Sequence, residues 1–164
     1  MSGFDMSGIK MLILDVDGVL TDGKIFINPR GEETKSFNTR DGLGIKMLIK
    51  SGVEVAIISG RSSAAVDFRA KELGIKEVHQ GIKDKKGVCI RLMKDRGLKK
   101  GEAAAVGDDI VDLDMFDESG LGIAVADAPK EILDAADLVT GRKGGEGAVR
   151  EVCEWILKGH TDGG

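Results

Sequence analysis

The chain has no tyrosine, one tryptophan and five phenylalanines among 164 residues. A core so poor in rings must be built from Ile, Leu, Val, Ala and Met, and an apolar fraction of 41% is enough for that. Cysteine is scarce as well. Cys89 and Cys153 show no CxxC spacing and fall on apolar helix faces, so they read as buried, reduced thiols rather than a disulfide or a metal site. No apolar run approaches the ~18 residues of a membrane span. No basic-then-apolar segment opens the sequence, so a cytoplasmic protein is expected. A basic stripe with interleaved aromatics is missing too, and the net charge is −4, which argues against a nucleic-acid partner. With no internal repeat and no low-complexity tract, the length fits one domain. The expected layout is a loose leader over 1–8, a single domain over 9–158 and a loose tail over 159–164.

What is present is a series of short apolar runs that stop at polar clusters. Met11 to Leu14 ends at carboxylates, Val53 to Ile58 ends at Ser59-Gly60-Arg61, and Ala103 to Val106 ends at Gly107-Asp108-Asp109. Continuous runs of this kind fit strands buried on both faces of a parallel sheet. Shorter ones lie at Glu77 to His79, Leu121 to Val125 and Leu138-Val139. Helical patterns alternate with them over Leu43 to Lys50, Ala64 to Leu73, Asp84 to Arg96 and Val149 to Leu157. The alternation predicts an α/β fold with a doubly wound, mostly parallel, Rossmann-like sheet. Lys24 to Ile27, the turn Asn28-Pro29-Arg30-Gly31 and Glu33 to Asn38 read as a β-hairpin inserted after the first strand. No insertion is long enough for a cap domain.

The chemistry sits at strand ends. Asp15-Val16-Asp17-Gly18 places two carboxylates at i, i+2, which project the same way if the chain stays extended. Alone, such a pair is as well read as solvated turn carboxylates. Asp108, Asp109 and Asp112 close another buried run, however, and ligands bind outside the carboxyl ends of strands where strand order reverses. Carboxylates converging there need a shared cation, and oxygen-only ligands point to magnesium rather than zinc. Ser59 and Arg61 offer a hydroxyl and a forked cation, although Ser59 can equally be a helix N-cap. An ammonium for a phosphate could come from Lys83, Lys85 or Lys86.

The order DxDGVLTD, SGR, GxxxK and GDDxxD resembles the haloacid dehalogenase superfamily of phosphatases, from Met11 to about Arg150. Within it the chain is similar to the cap-less 3-deoxy-manno-octulosonate 8-phosphate phosphatases. The likeness rests on DVDGVLTDG, the hairpin exit Lys35-Ser-Phe-Asn38-Thr-Arg40-Asp41-Gly42, AVADA and Gly144-Gly145-Glu146-Gly147-Ala148-Val149-Arg150-Glu151. The resemblance implies Asp15 as nucleophile, Asp17 as acid and base, and Ser59 and Lys85 on the phosphoryl oxygens. It implies Mg²⁺ held by Asp15, the backbone carbonyl of Asp17 and Asp108, with Asp109 and Asp112 behind them. It further implies a sugar acid held by Asn38, Arg40, Asp41, Gly42, Lys46, Arg61, Arg69 and Lys85, a homotetramer assembled through hairpins, and a place in lipopolysaccharide biosynthesis. Arg40 and Arg69 can also be read as solvated charge, and the Gly141 to Gly147 stretch as a mobile flap or a plain loop. Three other readings compete. One is a phosphatase of a sialic-acid-type 9-phosphate or other sugar phosphate. Another is a non-catalytic domain regulating a nucleotide-sugar enzyme. The third, a receiver-type signalling domain, needs neither Asp17 nor the hairpin.

Overall fold

The computed structural model describes residues 4–163. In chain order its strands are β1 (Met11–Leu14), β2 (Phe26–Ile27), β3 (Glu33–Thr34), β4 (Glu54–Ile58), β5 (Glu77–His79), β6 (Ala103–Gly107), β7 (Gly122–Ala124) and β8 (Leu138–Val139). The helices are α1 (Thr39–Lys50), α2 (Ala64–Leu73), α3 (Lys85–Asp95), α4 (Leu113–Ser119), α5 (Lys130–Ala135) and α6 (Ala148–Asp162), with a 3-10 turn (Ile110–Asp112) ahead of α4.

All four side chains of β1 are fully buried, because the strand is paired on both edges and covered on both faces. It lies between β4 and β6 in a sheet of order β5-β4-β1-β6-β7-β8, and every ladder in that sheet is parallel. From β1 the chain runs outward to β4 and β5, then returns to β6 and runs outward the other way. Strand order therefore reverses between β1 and β6, which opens a crevice at their carboxyl ends. The doubly wound fold is the one expected, and the described residues contain no cap domain. The hairpin forms a separate antiparallel ribbon, with Phe26 opposite Thr34 and Ile27 opposite Glu33.

Several boundaries differ from expectation. Helix α1 starts ahead of Leu43, because the Asn38 side chain accepts the Arg40 and Asp41 amides at 2.8 and 3.1 Å and caps the helix there. Helices α4 and α5 were not expected. Their apolar signal is short and broken by acids, with only Met115 and Phe116 in the first and Ile132 in the second as buried apolar side chains. The expected tail from 159 is helical as far as Asp162. Gly159 lets α6 approach Met6, which is buried, so the expected leader is anchored at that residue. Residues 1–3 and 164 lie outside the described residues.

The glycine-rich stretch before α6 is a seat and not a flap. The Gly145 amide donates to the Val19 carbonyl at 2.9 Å, and the Gly144 amide donates to the Asp127 carboxylate at 2.9 Å. A Cβ on Gly144 would overlap the carbonyl oxygen of Gly18, so two backbones are in direct contact under the Asp15–Asp17 loop. Gly144→Ala is expected to destabilise the fold by about 1–3 kcal/mol or more through overpacking. Gly8→Ala, where a Cβ meets nothing within 4 Å, should stay within about 0.5 kcal/mol. Urea midpoints for the two variants check this, and equal midpoints would contradict it.

Candidate active site

Asp15 follows β1 directly and Asp108 follows β6, so the crevice brings them together. They share an open cavity of about 530 Å³ with Asp17, Ser59, Arg61 and Lys85.

Lys85 resolves the ambiguity among three lysines. It is the first residue of α3, after the Asp84 cap, and it is buried. Its Nζ lies 3.0 Å from Asp15 Oδ1 and 2.7 Å from Asp112 Oδ1. Lys83 is exposed, and Lys86 pairs with Glu118 at 3.3 Å. Burial alone would lower the Lys85 pKa, but the charges of Asp15 and Asp112 outweigh it and hold the group as an ammonium. Asp112 is fully buried, and its Oδ2 accepts the backbone amides of Asp108 and Asp109 at 2.9 and 3.2 Å. It thus orients the lysine and shapes the Asp108 turn. Asp109, expected beside it, is exposed at the cavity and caps the 3-10 turn through the Ile110 amide.

Oxygens of Asp15, Asp108 and Asp112 lie within 4.8 Å of one another. Three carboxylates then face one ammonium. Burial, followed by the charges of Asp15 and Asp112, pushes Asp108 up to about 8. Burial and Asp112 push Asp15 up to about 6, against the pull of Lys85. Crowded, buried and purely oxygen-based, the set fits a hard divalent cation such as Mg²⁺. The oxygens of Asp112 are already engaged, so Asp15 and Asp108 have the free capacity. Gly18, at φ 85, explains the glycine after Asp17, since a Cβ there would overlap the Asp108 carboxylate.

Asp17 is held from the hairpin side. Its Oδ1 receives the Lys35 ammonium at 2.6 Å, and its Oδ2 faces Arg61 Nε at 3.7 Å. Lys35 also lies 2.6 Å from Glu33, and Glu33 reaches Arg61 at 2.8 Å. Burial would lower the Lys35 pKa, but Asp17 and Glu33 outweigh it and push it up. Neither Lys35 nor Glu33 was singled out for the site from sequence; the available signal was a charged pair flanking Thr34 in a strand that closes against DxD.

Ser59 is buried at the end of β4, and the N-cap reading fails because Ser63 caps α2. Among the sugar-acid residues, the structure brings only Arg61 and Lys85 into the cavity. Asn38 is occupied as the α1 cap. Asp41 is buried with its Oδ1 accepting the Arg150 amide at 2.9 Å, which caps α6 from a neighbouring helix. Gly42 is buried where a Cβ would meet the Arg69 guanidinium. Arg69 pairs with Glu72 at 2.8 Å, donates to the Asn38 carbonyl at 3.3 Å and lies over Phe37. Arg40 and Lys46 are exposed and line no part of the cavity.

A parallel sheet with aspartates at its switch point, a buried lysine and no cap defines a phosphatase-like hydrolase, and the haloacid dehalogenase-like hydrolase family matches residues 77–152. The chain is 46% identical over 153 residues to the 3-deoxy-D-manno-octulosonate 8-phosphate phosphatase of Haemophilus influenzae, covering 93% of this chain and 85% of that one. The crystal structure of the Moraxella catarrhalis phosphatase of that name, in complex with magnesium, phosphate and KDO, superposes with a TM-score of 0.93. It is 46% identical, covering 96% of this chain and 91% of that one. The cobalt-bound Haemophilus influenzae structure gives 0.92 at 44% identity, covering 96% and 92%. The chain belongs to the 3-deoxy-D-manno-octulosonate 8-phosphate phosphatase family of haloacid dehalogenase-like hydrolases.

Asp15 and Asp108 have folded-state pKa values raised above 3.8, so the stability tied to their protons is full below about pH 4. It is lost as pH rises through about 6 and 8. In chelator the melting temperature should fall between about pH 5 and pH 9. Added Mg²⁺ should raise it more at the upper end, where the carboxylates are ionised. A pH-independent magnesium shift in thermal melts would contradict the assignment.

Proposed function

We propose that this chain hydrolyses 3-deoxy-D-manno-octulosonate 8-phosphate to the free sugar acid and phosphate, by transfer of the phosphoryl group to Asp15. The observation that carries the reading is Asp15 itself, a buried carboxylate held by Lys85 at the mouth of the switch-point crevice beside Asp108.

An Asp15 oxygen attacks phosphorus, the bond from phosphorus to the sugar oxygen breaks, and Asp17 supplies the proton to that oxygen. Water then attacks the phosphorus of the Asp15 acyl phosphate while Asp17 takes its proton. The bond to Asp15 breaks and phosphate leaves. The Ser59 hydroxyl and the Lys85 ammonium bind phosphoryl oxygens, where charge is redistributed in the transition state. Asp15, the backbone carbonyl of Asp17 and Asp108 would hold Mg²⁺, which when bound offsets the repulsion between a carboxylate and a phosphate dianion. Arg61, partly exposed at the cavity rim, would meet a second anion, the carboxylate of the sugar acid. Free Cys89 and Cys153 accord with a cytoplasmic location, and no helix among the described residues is long and apolar enough to cross a membrane.

Asp15→Asn should abolish phosphate release while leaving the fold intact by circular dichroism. Wild type should prefer the eight-carbon sugar acid phosphate over a sialic-acid-type 9-phosphate and over neutral sugar phosphates. A released-phosphate assay over that panel decides both points; near-wild-type turnover by Asp15→Asn would refute the mechanism.

The proposed assembly is a homotetramer. Phe26 and Ile27 on the hairpin are 57% and 65% exposed, and Phe68 on α2 is 81% exposed. A two-stranded ribbon bearing such side chains is unstable in water on its own. Arg40 and Lys46, which miss their own cavity, would then reach a neighbour's substrate. Light scattering should give four copies. Ile27→Lys should lower both the mass and kcat/KM for the sugar acid phosphate, and a fully active monomer would exclude this arrangement.

A further inference from the structure

Lys35 is a buried cation that the mechanism above leaves without a task. Its side chain is 1% exposed, and its ammonium lies 2.6 Å from Asp17 and 2.6 Å from Glu33. Glu33 continues to Arg61 at 2.8 Å, and Arg61 returns to Asp17 at 3.7 Å. Two cations and two anions therefore alternate around a closed ring at the cavity rim. Packing gives no reason for this choice. A methionine of similar length would fill the same volume without the desolvation cost of an ammonium.

The ring is directional. Asp17 Oδ1 is taken by Lys35 at 2.6 Å, whereas Oδ2 has only the longer approach of Arg61. The engaged oxygen fixes the carboxylate's rotation and leaves Oδ2 as the oxygen free to exchange a proton. Glu33 balances the ammonium's charge, so what Lys35 supplies is placement. At 1% exposure it cannot touch a substrate in the cavity, and any effect on turnover must pass through Asp17.

We propose that Lys35 is the positioning residue for Asp17, holding Oδ1 so that Oδ2 meets the departing sugar oxygen. This rests on the reading of Asp17 as proton donor. Because Glu33 lies in β3 and Lys35 follows it, one strand of the hairpin serves the catalytic apparatus while its partner β2 carries the proposed assembly surface.

A proton donor matters for an alkoxide leaving group and little for one that departs as a stable anion. The experiment compares kcat/KM for 3-deoxy-D-manno-octulosonate 8-phosphate and for 4-nitrophenyl phosphate, with Mg²⁺ present, in wild type, Lys35→Met and Lys35→Arg. These values cover the steps through phosphoryl transfer to Asp15, so the later hydrolysis does not enter. Lys35→Met should lose about 10–100-fold on the sugar ester and less than about threefold on the nitrophenyl ester. Lys35→Arg should recover most of the sugar-ester rate. Equal losses on both esters, the mark of a purely structural role, or an undiminished sugar-ester rate would overturn the proposal. Should Lys35→Met fail to fold, Lys35→Gln carries the same comparison, and a selective or an equal loss decides it in the same way. Wild type inactive on both esters would overturn the function itself, whereas active wild type with unselective variants overturns Lys35 alone.

Discussion

Carboxylates buried side by side repel one another, and most of the architecture around Asp15 can be derived from that repulsion. Asp15 and Asp108 follow β1 and β6, whose parallel register brings the two strand ends side by side, and Asp112 joins them from the 3-10 turn. Ionising all three in a low-dielectric pocket needs counter-charge. Lys85 supplies part of it, which is why an ammonium is buried at the start of α3. Removing that lysine would leave two facing carboxylates, a loss of about 3–5 kcal/mol for a buried pair broken on one side. The remaining negative charge is what makes the site a cation trap. Stability is spent on a site that is complete only with its metal.

Holding these groups in place demands a stiff loop, and backbone contacts provide the stiffness. Gly18 admits the Asp108 carboxylate at close range, and Gly144 lets the segment before α6 press on the Gly18 carbonyl. Asp41 then ties α6 to α1 through the Arg150 amide. Residues far apart in the chain therefore converge under one catalytic turn. A side chain at Gly18 would displace the Asp108 carboxylate, and one at Gly144 would displace the Gly18 backbone beneath it, in a site where placement matters on the scale of an ångström.

The sequence was most legible where chemistry and pattern coincide. Continuous apolar runs ending in Asp15, Ser59 and Asp108 identified the central strands, and motif order identified the family. The residues that escaped notice share a cause: their partners are distant in sequence. The charged pair around Thr34 does not by itself name Asp17 as the mate of Lys35, and nothing local marks Asp41 as the cap of a helix that begins at Ala148. Helix α4 was hidden because its buried Met115 and Phe116 are flanked by solvated acids. Arg69, which reads as a substrate contact or as solvated charge, has partners the sequence does not announce: Glu72, the Asn38 carbonyl and the Phe37 ring.

A site without a cap must obtain from elsewhere what a cap supplies, namely substrate recognition and alignment of the acid with the leaving group. The hairpin is the only insertion among the described residues placed to provide either. Its outer strand β2 exposes Phe26 and Ile27, while Glu33 in β3 and Lys35 just after it turn inward toward Asp17. The two sides are joined directly, since Ile27 pairs with Glu33 and Phe26 with Thr34. In the proposed assembly, a neighbour docked on β2 would bear on the Asp17 carboxylate through the β2–β3 pairs, so assembly and proton transfer would be coupled by proximity alone. A separate cap domain would decouple them, since its closure could vary without moving Asp17. In the cap-less chain, on the two proposals above, one short hairpin would both join a subunit to the next through β2 and aim the acid through the side chains at β3.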